Sequence, residues 1–127
     1  MEFISIEGAL TKGGHYSPAV RAGNTIYISG QLPIDPFTGE RCLGDVSAQT
    51  QQVLVNLDHV LASCGVGRTQ VAKVTIYLAD IAHWDTVNTL YAAFFGNHRP
   101  ARSIVPTREL HHGFGIELEA VVYSPQV

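Results

Sequence analysis

Arg102 is the residue of this sequence whose charge most needs an explanation. It stands inside Pro100-Ala101-Arg102-Ser103-Ile104-Val105, a short and largely apolar stretch. A guanidinium among apolar residues must find a partner. Its planar fork suits a carboxylate held through two parallel hydrogen bonds. That leaves two readings open: a structural ion pair, or a seat for a carboxylate ligand. A second candidate is Ile116-Glu117-Leu118-Glu119-Ala120. Residues two apart on a strand share a face, so Glu117 and Glu119 stand side by side, opposite Ile116, Leu118, Ala120 and Val122. Two carboxylates that close repel, which raises the pKa of one and suits the pair to general acid-base work. A solvent-facing strand edge with cross-strand cations would carry the same pattern. Of the six histidines, His111 and His112 are adjacent. Neighbours on a strand point to opposite faces and could not easily share a metal, so these two are expected to be a solvated loop pair rather than ligands of one metal. The sequence contains no Gly-rich phosphate loop, CxxC pair or HExxH.

The elements that must position these residues are legible in outline. Phe3 to Ile6 alternates as a strand, Ala19 to Arg21 is short and ends at the turn signal Gly23-Asn24, and Thr25 to Ser29 is rich in β-branched and aromatic residues. A long loop with three turn-forming residues runs from Gln31 to Gly44. Asp45 is placed to cap a helix whose apolar positions Val53, Leu54, Leu57, Val60, Leu61 and Cys64 fall on one face, and Gly65 closes it. Val71 to Leu78 predicts a central strand. Asp80 is placed to cap a second helix, which ends at Gly96. Pro100 then forces extended chain, and Ala101 to Pro106 and Gly115 to Tyr123 are the last strands. This order predicts an α+β fold: one mixed sheet with both helices on one face. Such a sheet leaves its other face needing cover, which oligomerisation would supply.

A chain of 127 residues fits one domain, and an apolar fraction of 46% is enough for a packed core. Polar residues interrupt every apolar stretch before it could span a membrane. The N-terminal segment carries Glu2 where a signal peptide would carry lysine or arginine, so no targeting segment is expected. Two cysteines, Cys42 and Cys64, make no disulfide framework, and a reducing cytoplasm is the expected compartment. A formal net charge of −3 with scattered basic residues argues against a nucleic-acid partner.

Seven segments in register resemble one known family. They are Tyr16-Ser17-Pro18-Ala19-Val20, Ile28-Ser29-Gly30-Gln31-Leu32-Pro33, the helix run Gln49 to Asn56, Lys73 to Leu78, Val87-Asn88-Thr89-Leu90-Tyr91, Pro100-Ala101-Arg102-Ser103, and Glu117-Leu118-Glu119-Ala120. In order and spacing the chain is similar to the RidA (YjgF/YER057c/UK114) family, as a single RidA-like domain over 1–127. The resemblance implies a homotrimer with a barrel-like core of sheets, helices outside, and sites in clefts between subunits. It implies hydrolysis of reactive 2-imino or 2-enamino acids to 2-keto acids and ammonia, with small imino and keto acids as ligands and no metal or organic cofactor. Arg102 matches the family's carboxylate-binding arginine, Glu119 the glutamate that orients water, and Tyr16 a tyrosine of the cleft. Ser29 and Gly30 match a cleft wall that hydrogen-bonds ligand, Asn88 a helix asparagine beside it, and Trp84 the aromatic that closes it. The chain departs from the family at Ile104, where many members have cysteine. It departs again at Gly14-His15 for Gly-Pro, and at Leu110-His111-His112-Gly113 for Leu-Pro-x-Gly. These departures bear on substrate choice. The same family resemblance also allows a non-catalytic trimer that binds small carboxylates.

Overall fold

A computed structural model describes residues 1–11 and 13–126. Six strands form one sheet: β1 (Glu2–Ile4), β2 (Ala19–Ala22), β3 (Thr25–Gln31), β4 (Val71–Leu78), β5 (Ala101–Pro106) and β6 (Ile116–Tyr123), in the order β1-β2-β3-β6-β4-β5. Only β4 and β5 pair in parallel, joined by the crossover that contains α2 (Trp84–Phe95). The remaining neighbours are antiparallel.

α1 (Val46–Ser63) begins where the sequence places it, with the Asp45 carboxylate accepting from Ala48 N at 2.9 Å. Gly65, at φ +71°, takes the left-handed conformation that follows its last turn. Its buried face, with Val53, Leu57, Val60 and Leu61, joins Val87, Tyr91 and Phe95 of α2 on the inward face of the sheet. That face is Ile26 and Ile28 of β3, Val74, Ile76 and Leu78 of β4, and Ile116, Leu118 and Val122 of β6. The expected mixed sheet with both helices on one face is the fold observed. No helix among the described residues is long and apolar enough to cross a membrane.

Two local expectations change. Asp80 caps a single 3-10 turn, Ile81–His83, by accepting from Ala82 N at 2.9 Å, and α2 starts after it at Trp84. His111 and His112 do not diverge as strand neighbours. They form a 3-10 turn with Gly113, in which His112 has φ 60°, and their rings lie in contact, 3.7 Å between centroids and tilted by 39°. Gly113, at φ +74°, ends this turn before β6.

The outward face of the sheet is open in the single chain. Phe3 is 71% exposed, Tyr27 54% and Tyr123 57%, so large apolar groups of three strands face outward together.

Candidate functional site

The carboxylate half of the site grows from an irregularity in β3. Ile28 pairs with Ala120 and Gln31 with Leu118, so Ser29 and Gly30 together oppose the single residue Glu119. This bulge takes them out of the regular ladder and turns them toward a cleft. The Ser29 hydroxyl donates to Ser17 O at 2.6 Å and its N–H to Pro18 O at 3.0 Å, which ties the Tyr16 loop to the bulge. Gly30 is needed for space: a Cβ there would lie on the Glu117 carboxylate. The resulting cleft, of about 590 Å³, is bounded by Tyr16, Ser29, Gly30, Glu117, His111 and His112, with Leu32, Ile34 and Leu10 making it apolar.

Three amides of α1 hold the walls. Buried Asn56 donates to Leu32 O at 3.0 Å and Ile34 O at 2.9 Å, while Gln52 donates to the Asn56 side-chain oxygen at 2.9 Å. Gln49 accepts from Gly115 N at 2.8 Å and donates to Gly44 O at 2.9 Å, which fixes the histidine turn. None of these three stands out in sequence as a site residue. A polar residue recurring on a helix face next to its apolar stripe is the signal that could have found Asn56.

The two glutamates part company. Glu119 accepts a short hydrogen bond from the Tyr77 hydroxyl, and that bond pushes the phenol's pKa up. Glu117 and Asp35 are the carboxylates lining the cleft, and Asp35 is engaged by Phe37 N and Thr38 N. Burial raises the pKa of Glu117, and the charge of Glu119 raises it further, while His111 acts in the opposite direction.

The arginine half lies elsewhere. Arg102 pairs with Val74, whose side chain belongs to the core under the helices. Glu117 and Glu119 pair with Tyr77 and Thr75, which alternate to the outward face. Guanidinium and carboxylates of one chain therefore stand on opposite faces of the sheet. Arg102 donates to Asn88 Oδ1 at 2.9 Å and lies 4.8 Å from the Tyr91 ring and 5.4 Å from the Trp84 ring. Trp84, Asn88 and Tyr91 fall at i, i+4 and i+7 on α2, one helical face turned toward the strand. That spacing is the signal by which Tyr91 could have joined the sequence-predicted set. Its hydroxyl is buried without a hydrogen-bond partner among the described residues, and burial pushes its pKa up to about 12. Asn88, Tyr91, Phe95, Arg99 and Arg102 line a second cavity of about 490 Å³. Ile104 shares the Arg102 face but packs against the core. Among the described residues no carboxylate forms an ion pair with Arg102; Arg21–Glu2 and Arg68–Asp58 are the pairs observed. No group of three or more His, Cys, Asp or Glu residues among them is arranged to hold a metal.

Comparison with known proteins covers the whole of this architecture. The family model described as Endoribonuclease L-PSP matches residues 7–124. A RutC family protein of Pyrococcus horikoshii is 43% identical over 97% of this chain and 98% of its own length. A human protein named 2-iminobutanoate/2-iminopropanoate deaminase is 42% identical, covering 85% of this chain and 79% of its own. Among solved structures, the YjgF gene product of E. coli superimposes with a TM-score of 0.89 at 36% identity, over 97% of this chain and 98% of that one. RidA from an Antarctic Psychrobacter gives 0.90 at 34%, over 97% and 99%.

Proposed function

Because this chain belongs to the YjgF/RidA family, the family of the Endoribonuclease L-PSP model, we propose that it is a hydrolytic deaminase of reactive 2-imino and 2-enamino acids, releasing 2-keto acids and ammonia. The observation that carries this reading is Arg102: a half-buried guanidinium held by an amide oxygen and two aromatic rings, beside a cavity, with no carboxylate among the described residues paired to it. Such a group is a ready seat for a small carboxylate. The named activity of the human relative supports the choice of imino acid.

The opposite-face geometry supports a site completed between subunits. One copy of the chain offers the Arg102 cavity and a neighbouring copy the Glu117 cleft, so the site lies between subunits of a homotrimer that also covers the open sheet face. Arg102 fixes the carboxylate and with it the plane of the adjoining C=N bond. The imine carbon is already electrophilic. Glu117 accepts a proton from the water that adds to it. The family resemblance implies this role for Glu119; Glu117 is preferred here because the Tyr77 hydroxyl engages Glu119 and Glu117 lines the cleft. Tyr16, Ser29 and Gly30 wall the water's side, while Asn88 and Trp84 orient the arginine. No metal or cofactor enters the chemistry.

A trimer that only binds small carboxylates would use Arg102 in the same way, and turnover separates the two. 2-Iminobutanoate generated in situ from its amino acid should disappear faster with the protein than without it. Arg102→Ala should lose nearly all of this acceleration while circular dichroism and light scattering show an unchanged fold and trimer mass. A folded, trimeric and fully active Arg102→Ala variant would refute the assignment.

A further inference from the structure

Imine hydrolysis moves two protons in opposite directions, and one carboxylate cannot carry both at once. We propose that His111 is a second proton carrier of the Glu117 cleft, donating to the departing nitrogen; the inference rests on the deaminase reading above.

His111 and Glu117 border the same cleft. His111 is exposed, but its turn is held in place. The 3-10 turn that carries it is anchored through Gly115 N on Gln49. His112 is the one non-glycine residue with positive φ among those described, and its ring lies against that of His111 at 3.7 Å and meets Phe114 edge-on at 5.8 Å. A non-glycine residue held in the left-handed region costs energy and clusters at functional sites. Here the conformation turns both imidazoles toward the cleft rather than apart.

The charges around the pair divide the work. From the sheet, Glu117 lines the cleft, and Glu119 and the Tyr77 phenol stand beside it on the same outward face. From the loops come Tyr16, Asp35 and Arg41, and the Asp35 carboxylate is engaged by Phe37 N and Thr38 N. His112 is held below the ordinary imidazole range, by desolvation and by the charges of Arg41 and His111, which favours its neutral form beside His111. His111 is the imidazole whose charge reaches Glu117.

The steps balance with the two groups alone. Water oxygen bonds to the imine carbon, the C=N π pair moves to nitrogen, one water proton goes to the Glu117 carboxylate, and nitrogen takes a proton from the His111 imidazolium. In the second step nitrogen takes the Glu117 proton. The C–N bond then breaks with its electron pair leaving on ammonia, the hydroxyl oxygen forms the carbonyl, and the hydroxyl proton returns to His111. Both groups end as they began.

The test is a pH–rate profile of kcat/KM for 2-iminobutanoate hydrolysis with the whole protein and with His111→Ala. The unaltered protein should lose activity as pH rises. His111→Ala should be about 10²-fold slower, lack that alkaline limb, and recover on addition of free imidazole, with circular dichroism unchanged. Imidazole rescue and the lost limb are effects that a structural role would not produce. An active protein whose profile is unaltered in His111→Ala, with no rescue, overturns this inference alone. An unaltered protein with no turnover overturns the deaminase reading and this inference with it.

Discussion

Gly30→Ala is the sharpest perturbation of the proposed cleft. Gly30 has no left-handed backbone, so alanine meets no conformational barrier there. The new methyl would fall on the Glu117 carboxylate, with Cδ at 3.1 Å and Cγ at 3.4 Å. The obstacle is the end of a flexible side chain facing a cleft, so Glu117 can swing away. The stability cost should stay below the roughly 1–3 kcal/mol of overpacking a rigid core. The reduced entropy of the unfolded chain offsets ~0.4–1 kcal/mol of it. Turnover should suffer far more, because the proton acceptor is displaced: a loss of about 10²-fold, equivalent to about 2.7 kcal/mol in the barrier. A double-mutant cycle isolates the cause. In a Glu117→Ala background there is no carboxylate to displace, so Gly30→Ala should cost little more. Urea unfolding and imine hydrolysis on the four proteins give both quantities. A Gly30→Ala protein that turns over at the full rate would refute the reasoning, as would an equal loss in both backgrounds.

Glu117→Gln should lower turnover by about 10²-fold, and Glu119→Gln should cost much less, measured on the same imine. The raised pKa of Glu117 also fixes a sign: the folded state holds its proton more tightly than the unfolded chain, so this group removes stability as pH rises above the ordinary carboxylate range. Thermal melts should therefore show Glu117→Gln more stable than the parent at neutral pH, with the gain vanishing in acid where both are neutral. Arg102→Lys keeps the charge but loses the fork, and should remain impaired in kcat/KM rather than behave as a conservative change.

Periodicity carried most of the fold. The apolar spacing of α1 with Asp45 and Gly65 at its ends, and the run Val71 to Leu78, are both found as read. Patterns of this kind report a residue's own face and nothing about its neighbour strand, and the errors follow from that. Two-residue alternation put Glu117 and Glu119 on one face correctly. The choice between them depends on the bulge at Ser29 and Gly30 and on Tyr77, which lie on other strands. Arg102 was legible as a charge needing a partner. Its separation from the glutamates depends on the registers of β4 with β5 and β6, which no single strand encodes. The histidine pair lies exposed outside the strands, as read; what strand parity does not describe is the turn that brings the two rings together.

The placement of Arg102 and Glu117 on opposite faces of one sheet has a genetic consequence. If every working site borrows its arginine from one copy and its glutamate from the next, damage to the two residues does not fall on the same unit of function. Subunits carrying Arg102→Ala and subunits carrying Glu117→Gln are each strongly impaired alone. Unfolded and reassembled together in equal amounts, they would rebuild intact sites wherever a sound arginine meets a sound glutamate. Random cyclic assembly makes that about a quarter of all sites. Two lesions in the same gene would thus rescue one another in trans, as lesions in separate genes do.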